Sequence, residues 1–327
     1  MRVLVTGAGG FIGGHLVNDL VEQGHEVLAV DIKPIDSWEQ TNPYARVWAD
    51  LDLRDMEACR AIFQVYDPFH EVYNLAASMG GMGFIETHKL ECMLNVMIST
   101  NMLEVAREFG TERFFYSSSA CVYKADAQDR PDVEALREED AYPAMPEDGY
   151  GWEKLFSERM AMHYNEETDM TVRAARYHNV YGTHTSWRGG REKAPAAICR
   201  KVAEAALTGQ HEIEIWGDGE QTRSFMFHHD CVYGTQRILR SNIVDYPINL
   251  GSSESVSINQ LVSIVEEIAG VELNRTYNLD APKGVRGRNS DNARIRRDLD
   301  WEPSISLAEG LAQTYAWVYD QVKACQA

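Results

Sequence analysis

Tyr150 and Lys154 form a Y-x-x-x-K pair, which on a helix sets the two side chains one turn apart on the same face. A lysine ammonium there is expected to lower the pKa of the phenol, so that the phenolate can take a proton from an alcohol. The pattern is common on helix surfaces and carries little alone. Ser117-Ser118-Ser119 strengthens it, because it follows a strand-like run. Hydroxyl donors would then sit at the carboxyl edge of a sheet, where open α/β sheets bind ligands.

The chemistry needs a hydride acceptor, and the N-terminus offers a place for one. Gly7-Ala8-Gly9-Gly10-Phe11-Ile12-Gly13 follows one strand and opens a helix. Glycines at 7, 10 and 13 allow a tight turn, close backbone approach to a pyrophosphate and close helix–strand packing, with the helix N–H groups turned to the anion. Asp31 ends the second strand, where its carboxylate can accept hydrogen bonds from the adenosine ribose hydroxyls and repel a 2′-phosphate. That favours NAD over NADP, although the positive charge of Lys33 works against it. Asp50-Leu51 is either an adenine-edge contact or a strand-end turn.

These residues require alternating strands and helices to hold them. Arg2 to Thr6, Glu26 to Asp31, Val47 to Asp50, Glu71 to Leu75 and Arg113 to Ser117 read as strands. Ile12 to Gln23, Met56 to Tyr66 and Cys92 to Phe109 read as helices. The alternation predicts a Rossmann-type, doubly wound parallel sheet in an α/β protein. Ala125 to Gly149 is acidic and carries three prolines, the pattern of a loop or lid. Beyond Tyr181 the periodicity weakens. Short strands are expected at Ile213 to Trp216 and Phe225 to Phe227, with helices at Ile258 to Ala269 and Leu307 to Lys323. Residues 1–180 are thus expected to form mainly the cofactor domain. Residues 181–327 would form mainly a smaller substrate lobe, with some segments returning to the first.

Composition narrows the partners. The 327 residues carry 31 Lys and Arg against 50 Asp and Glu, a formal charge of -19. An acidic surface repels phosphate backbones and anionic lipid, so neither nucleic acid nor membrane is an expected partner. Against this background Lys283 to Arg297 holds six basic residues, suited to an anionic ligand or to a solvated basic face. The six cysteines have neither zinc-site nor disulfide spacing; five are expected to be buried, and a reducing, cytoplasmic location follows. No metal site is expected.

Taken together, the glycine loop, the serine run and the Y-x-x-x-K pair resemble the extended short-chain dehydrogenase/reductase superfamily of nucleotide-sugar enzymes. More narrowly, the chain resembles the 3,5-epimerases of GDP-mannose. That likeness rests on Asn74-Leu75-Ala76-Ala77-Ser78-Met79-Gly80-Gly81-Met82-Gly83-Phe84-Ile85, Ser118-Ser119-Ala120-Cys121-Val122-Tyr123, Tyr150 to Lys154, Arg176 to Gly182, Trp187-Arg188-Gly189-Gly190-Arg191-Glu192-Lys193-Ala194-Pro195-Ala196-Ala197, Trp216 to Phe225 and Gly284 to Asn292. The resemblance implies NAD as cofactor, held by Gly7, Gly10, Phe11, Ile12, Gly13, Asp31, Lys33, Asp50, Leu51, Leu75, Ala76, Ala77, Tyr150, Lys154 and Tyr177. It implies Ser119, Cys121, Tyr150, Lys154 and Lys193 as catalytic groups. The GDP-sugar would be bound by Gly80, Gly81, Ser119, Ala120, Cys121, Tyr150, Asn179, Glu192, Lys193, Ala194, Lys201, Gln221, Thr222, Arg223 and Arg286. It also implies a homodimer through the stretches Cys92 to Phe109 and Tyr150 to Asn165. Ser78 and Lys124 depart from the plant-like pattern, where Asp and Pro are expected.

The residues and this likeness agree chemically. A hexose C–H is too weak an acid to lose a proton, but transient oxidation at C4 makes the C3 and C5 protons α to a ketone. Inversion then needs two proton-transfer groups, one on each face of the ring, and a thiol and an amine both suit. A 4-epimerase or a 4,6-dehydratase would share the oxidation, the dehydratase wanting an acidic pair where Ala120-Cys121 stands. A redox-sensing NAD-binding protein without turnover would need only the glycine loop.

Overall fold

A computed structural model describes residues 1–66, 68–282 and 284–326; Lys283, at the head of the basic segment, lies outside the described residues. Its centre is a seven-stranded sheet. The strands are β1 (Arg2–Thr6), β2 (Glu26–Val30), β3 (Arg46–Trp48), β4 (Glu71–Asn74), β5 (Arg113–Ser119), β6 (Thr171–Tyr177) and Ile248–Leu250. They lie in the order Ile248–Leu250, β6, β5, β4, β1, β2, β3, and every neighbouring pair is parallel.

A parallel sheet buried on both faces needs apolar side chains in both directions, and β1 shows this. Val3 and Val5 point into a core built with the helices α1 (Phe11–Glu22) and His228–Arg240. Leu4 points into a second core with α2 (Met56–Tyr66), Asn95–Glu108 and Tyr150–Glu167. From β1 the chain builds outward through β2 and β3, then crosses to the other side to lay down β4. The reversal opens a crevice at the carboxyl edge between β1 and β4. Thr6 stands beside both Val30 and Asn74 there, and Ser119 beside Tyr177, so the strand ends share one rim.

A third core lies beyond the sheet. Helices Ala194–Thr208, Ile258–Ala269 and Leu307–Gln326 pack around Ile213 and Ile215 of the strand Glu212–Trp216. Among the described residues, no helix is long and apolar enough to cross a membrane.

Several sequence expectations change in detail. The stretch Cys92 to Phe109 is a break between Lys89–Met93 and Asn95–Glu108 rather than one helix. Asn95, at the start of the second piece, holds both the N–H and the C=O of Ser78 and so fixes the loop after β4. The strand expected at Phe225 to Phe227 splits into Thr222–Ser224 and Met226–Phe227. Ala125 to Gly149 is a packed loop: Leu136 exchanges backbone hydrogen bonds with Asn289 and Asp291, and Gln128 and Glu138 are buried. Four of the five cysteines expected to be buried are so; Cys325 is exposed.

Candidate active site

The glycine turn works by exclusion of side chains. A Cβ on Gly13 would come within 2.1 Å of the Gly7 carbonyl oxygen, so only glycine lets α1 start this close to β1. The helix begins at Gly10 with no side-chain cap, which leaves its first N–H groups for a ligand. In front of it lies a cavity of about 640 Å³ lined by Gly7, Gly10, Phe11, Ile12, Gly13, Asp31, Lys33, Leu51, Leu75, Ala76, Ala77, Tyr150, Lys154 and Tyr177. Asp31 accepts the N–H groups of Gly9 and Lys33 at 2.9 Å each, so its carboxylate is fixed at the tip of β2. Lys33 turns its ammonium onto the Gly9 carbonyl at 3.2 Å and is thereby occupied with the loop. The donor set fits a dinucleotide with free ribose hydroxyls. Asp50 does not line this cavity: it makes the turn after β3 with φ 58°, and Asp52, Leu53 and Arg54 take the wall position beyond Leu51.

A second cavity of about 270 Å³ adjoins the first. Met79, Gly80, Ser119, Tyr150, Tyr177, Asn179, Val180 and Lys193 line both. Gly81, Ala120, Cys121, Glu192, Ala194, Lys201, Gln221 and Arg223 line the second alone.

The serines divide their work. Ser117 bonds the Asn74 carbonyl and Ser118 the Glu158 carboxylate; Ser119 is left facing the junction, where its hydroxyl accepts the Cys121 N–H at 3.2 Å. Cys121 lies in the single turn Ala120–Val122 after β5, and Tyr150 opens the helix Tyr150–Glu167. The two approach because residue 151 is glycine: a Cβ there would be 2.4 Å from the Cys121 carbonyl oxygen.

Electrostatics at the junction differ from the expectation for Tyr150. Lys154 is buried, donates to the Ser117 carbonyl at 3.0 Å, and sits 5.6 Å from the centre of the Tyr150 ring. Burial nevertheless holds the phenol well above its usual pKa, with Cys121 and Glu153 adding to the effect and Ser119 opposing it. Desolvation is the largest cause. Burial likewise pushes Lys154 down. It raises the Cys121 thiol, an effect Glu147 reinforces and Arg288 opposes, and it lowers Lys193. His178 is sealed in the interior against Asn249, with burial lowering its pKa to about 3.

The basic segment is largely spent on ion pairs. Arg294, Arg296 and Arg297 pair with Glu138 and Glu139, Glu302, and Asp298. Arg286, expected on the substrate, is turned to Asp218 at 2.8 Å and is absent from the cavity wall, as is Thr222, whose hydroxyl goes to the Pro131 carbonyl. Arg288 takes the place foreseen for Arg286. It is buried on the wall, bonded to Gln128 and Glu147, with one N–H 3.6 Å from the Cys121 sulfur. No local signal separates the two arginines: residues 286 and 288 flank one glycine and would share a face of an extended strand, so the choice rests on their partners Asp218 and Glu147.

Comparison with known proteins agrees with this geometry. Residues 3–251 match the model of the NAD dependent epimerase/dehydratase family. The chain is 44% identical over 324 residues to GDP-mannose 3,5-epimerase 1 of Oryza sativa subsp. indica, covering 99% of this chain and 83% of that one. Among solved structures, UDP-glucose 4-epimerase of Thermotoga maritima with UDP-glucose superposes with a TM-score of 0.86 at 26% identity, covering 98% and 100% of the two chains. MoeE5 in complex with UDP-glucose and NAD gives 0.80 at 28%, covering 98% and 100%. A glycine turn fitted to a dinucleotide, a Ser-Tyr-Lys junction and a matched stretch that contains both place the chain in the NAD dependent epimerase/dehydratase family.

Proposed function

We propose that this protein is an NAD-dependent isomerase that inverts C3 and C5 of GDP-mannose, giving GDP-L-galactose and, where only C5 inverts, GDP-L-gulose. The observation that carries the reading is the pairing of Cys121 with Lys193 on the wall of the second cavity, beside the Ser119–Tyr150 junction. Hydride transfer and 4-epimerisation need neither group, whereas α-proton exchange needs two. Ala120-Cys121 also supplies no acidic pair of the kind a 4,6-dehydratase wants.

NAD, when bound, would supply reversible hydride acceptance at C4, so the overall reaction would involve no net oxidation. Tyr150 would take the C4 hydroxyl proton as a phenolate and return it later; the positive charges of Lys154 and of bound NAD would have to offset the burial that raises its pKa, and Ser119 would orient the hydroxyl. Gly7, Gly10, Phe11, Ile12, Gly13, Asp31, Lys33, Leu51, Leu75, Ala76, Ala77 and Tyr177 would seat the cofactor. Cys121 and Lys193 exchange the C3 and C5 protons. Asn179, Glu192, Ala194, Lys201, Gln221 and Arg223, with Arg288 in place of Arg286, would seat the nucleotide sugar; a guanidinium suits phosphate oxygens. Gln221 supports this, because its amide oxygen is buried without a hydrogen-bond partner.

The reading includes a cytoplasmic homodimer, with residues 1–180 and 181–327 as its main cofactor and substrate regions. Met93, Met97, Trp152 and Phe156 are exposed on the stretches expected to form the dimer contact, and Leu90 is exposed just before the first of them. The test is incubation with GDP-mannose in deuterated water. Deuterium at C3 and C5 with inverted products is expected; C4 inversion without carbon-bound label would favour a 4-epimerase, label at C5 with loss of water a 4,6-dehydratase, and neither label nor a new product would end the enzymatic reading.

A further inference from the structure

The proposed chemistry gives Lys193 and Glu192 tasks and leaves the residues just before them, Gly189 to Arg191, without one. The backbone turns at Gly189 (φ 93°) and Gly190 (φ 87°), and nothing lies within 4 Å of where either Cβ would be. No local packing fixes this turn. It is anchored at its two ends instead. On one side Glu192 accepts the Gly190 N–H at 2.7 Å and lies 3.6 Å from Arg200 of the helix Ala194–Thr208. On the other, Arg191 reaches the loop after β4. Its guanidinium stands 3.9 Å over the Phe84 ring and 3.6 Å from the Glu91 carboxylate. It also donates to the Met79 carbonyl at 3.5 Å. The Arg191 carbonyl accepts the Gly81 N–H at 3.0 Å. The far anchors are themselves held, Phe84 stacking on His88 at 4.3 Å and Glu91 accepting from the Ser78 hydroxyl.

The segment is therefore a strap across the region where the two cavities meet, and Lys193 is its last residue, the N-cap of the next helix with no side-chain capping bond of its own. A lysine has a long flexible stem, so where its ammonium sits depends on where its backbone is pinned. We propose that Arg191 is a positioning residue for Lys193, clamping the glycine-hinged strap onto Phe84 and Glu91 so that the amine faces the sugar and water is kept from it. This rests on the reading that Lys193 exchanges a substrate proton.

The test compares Arg191→Gln, Arg191→Lys and Glu91→Gln in the full chain, with two readouts. In substrate-free protein, acylation of Lys193 by acetic anhydride is followed by peptide mass mapping. With GDP-mannose, kcat and KM are measured with deuterium entry from solvent. Arg191→Gln is expected to speed Lys193 acylation and to lower kcat and deuterium entry on the order of tenfold to a hundredfold, the scale of a roughly 1 Å misplacement, with much less change in KM. Arg191→Lys should recover part of the loss, keeping charge over the ring without the fork; Glu91→Gln should repeat the effect more weakly. Wild-type acylation and kcat in Arg191→Gln would overturn the proposal, as would a rise in KM with acylation unchanged, which would make Arg191 a substrate contact. A wild-type protein inert to GDP-mannose would refute the functional reading instead, and the acylation comparison would still decide the strap.

Discussion

Cys121 sits between two opposing charges, with Arg288 donating to its sulfur and Glu147 gripping the same guanidinium. Burial and Glu147 both raise the thiol pKa, so Glu147→Gln removes a negative charge and leaves Arg288 facing the sulfur. The thiol pKa then falls. The limb of the kcat/KM profile governed by Cys121 is expected to move to lower pH, and the limb governed by Lys193 to stay. If the acid limb moves, Cys121 works as the thiolate base; if the alkaline limb moves, it works as the thiol acid. A profile unchanged from wild type would show that Cys121 does not govern a limb. The cavity-wall positions of Cys121 and Lys193 were reached through the family resemblance, since a thiol two places past a strand-end serine and a Y-x-x-x-K pair carry little alone. The choice between Arg286 and Arg288 was not legible in the sequence, since it depends on Asp218 and Glu147, which lie far along the chain.

At the scale of elements, glycine decides how closely the turn Ala120–Val122 and the helix Tyr150–Glu167 can sit. Gly151→Ala would set a methyl 2.4 Å from the Cys121 carbonyl oxygen, and the helix must move. The expected outcome is a loss of roughly 1–3 kcal/mol in denaturant unfolding, as for overpacking, and a larger proportional loss in kcat, because the shift separates Tyr150 from Cys121. Wild-type kcat in this variant would show that their spacing is not limiting. The first half of the sheet could be read from its apolar runs, but β6 could not. Its sequence carries Arg173 and Arg176 within the strand, which breaks the apolar signature. Arg176 is buried and forms a two-pronged pair with Glu158 at 2.7 and 2.9 Å. Its partner comes from a helix, so only the folded chain explains the charge. Removing one partner of such a pair costs about 3–5 kcal/mol, and Glu158→Gln is expected to lower the thermal midpoint accordingly. The helix Ala194–Thr208 was hidden for another reason: it opens inside the Lys193 motif, with Pro at its second residue, a position that helices accept.

For the whole molecule, the exposed faces of the helices Lys89–Met93, Asn95–Glu108 and Tyr150–Glu167 bear directly on assembly. Trp152 is 42% and Phe156 60% exposed, although their helix also buries Leu155, Ala161 and Met162 on its other side. Apolar side chains on both sides of a helix are unfavourable in water unless a second surface covers them. Phe156→Glu with Trp152→Glu is expected to halve the mass seen by sedimentation. If wild type already sediments at the 37.0 kDa of one chain, the dimer reading falls.

In the proposed chemistry one pair of groups, Cys121 and Lys193, would serve two carbons in a chamber of about 270 Å³. Under the proposed chemistry both stereocentres must be presented to the same thiol and amine in turn, while the oxidised sugar stays seated. A sugar reduced after the first exchange leaves as a singly altered isomer. The stereochemical yield then becomes a race between ring repositioning and quenching of the ketone, and mutations that loosen the chamber should alter the mixture before they alter the overall rate.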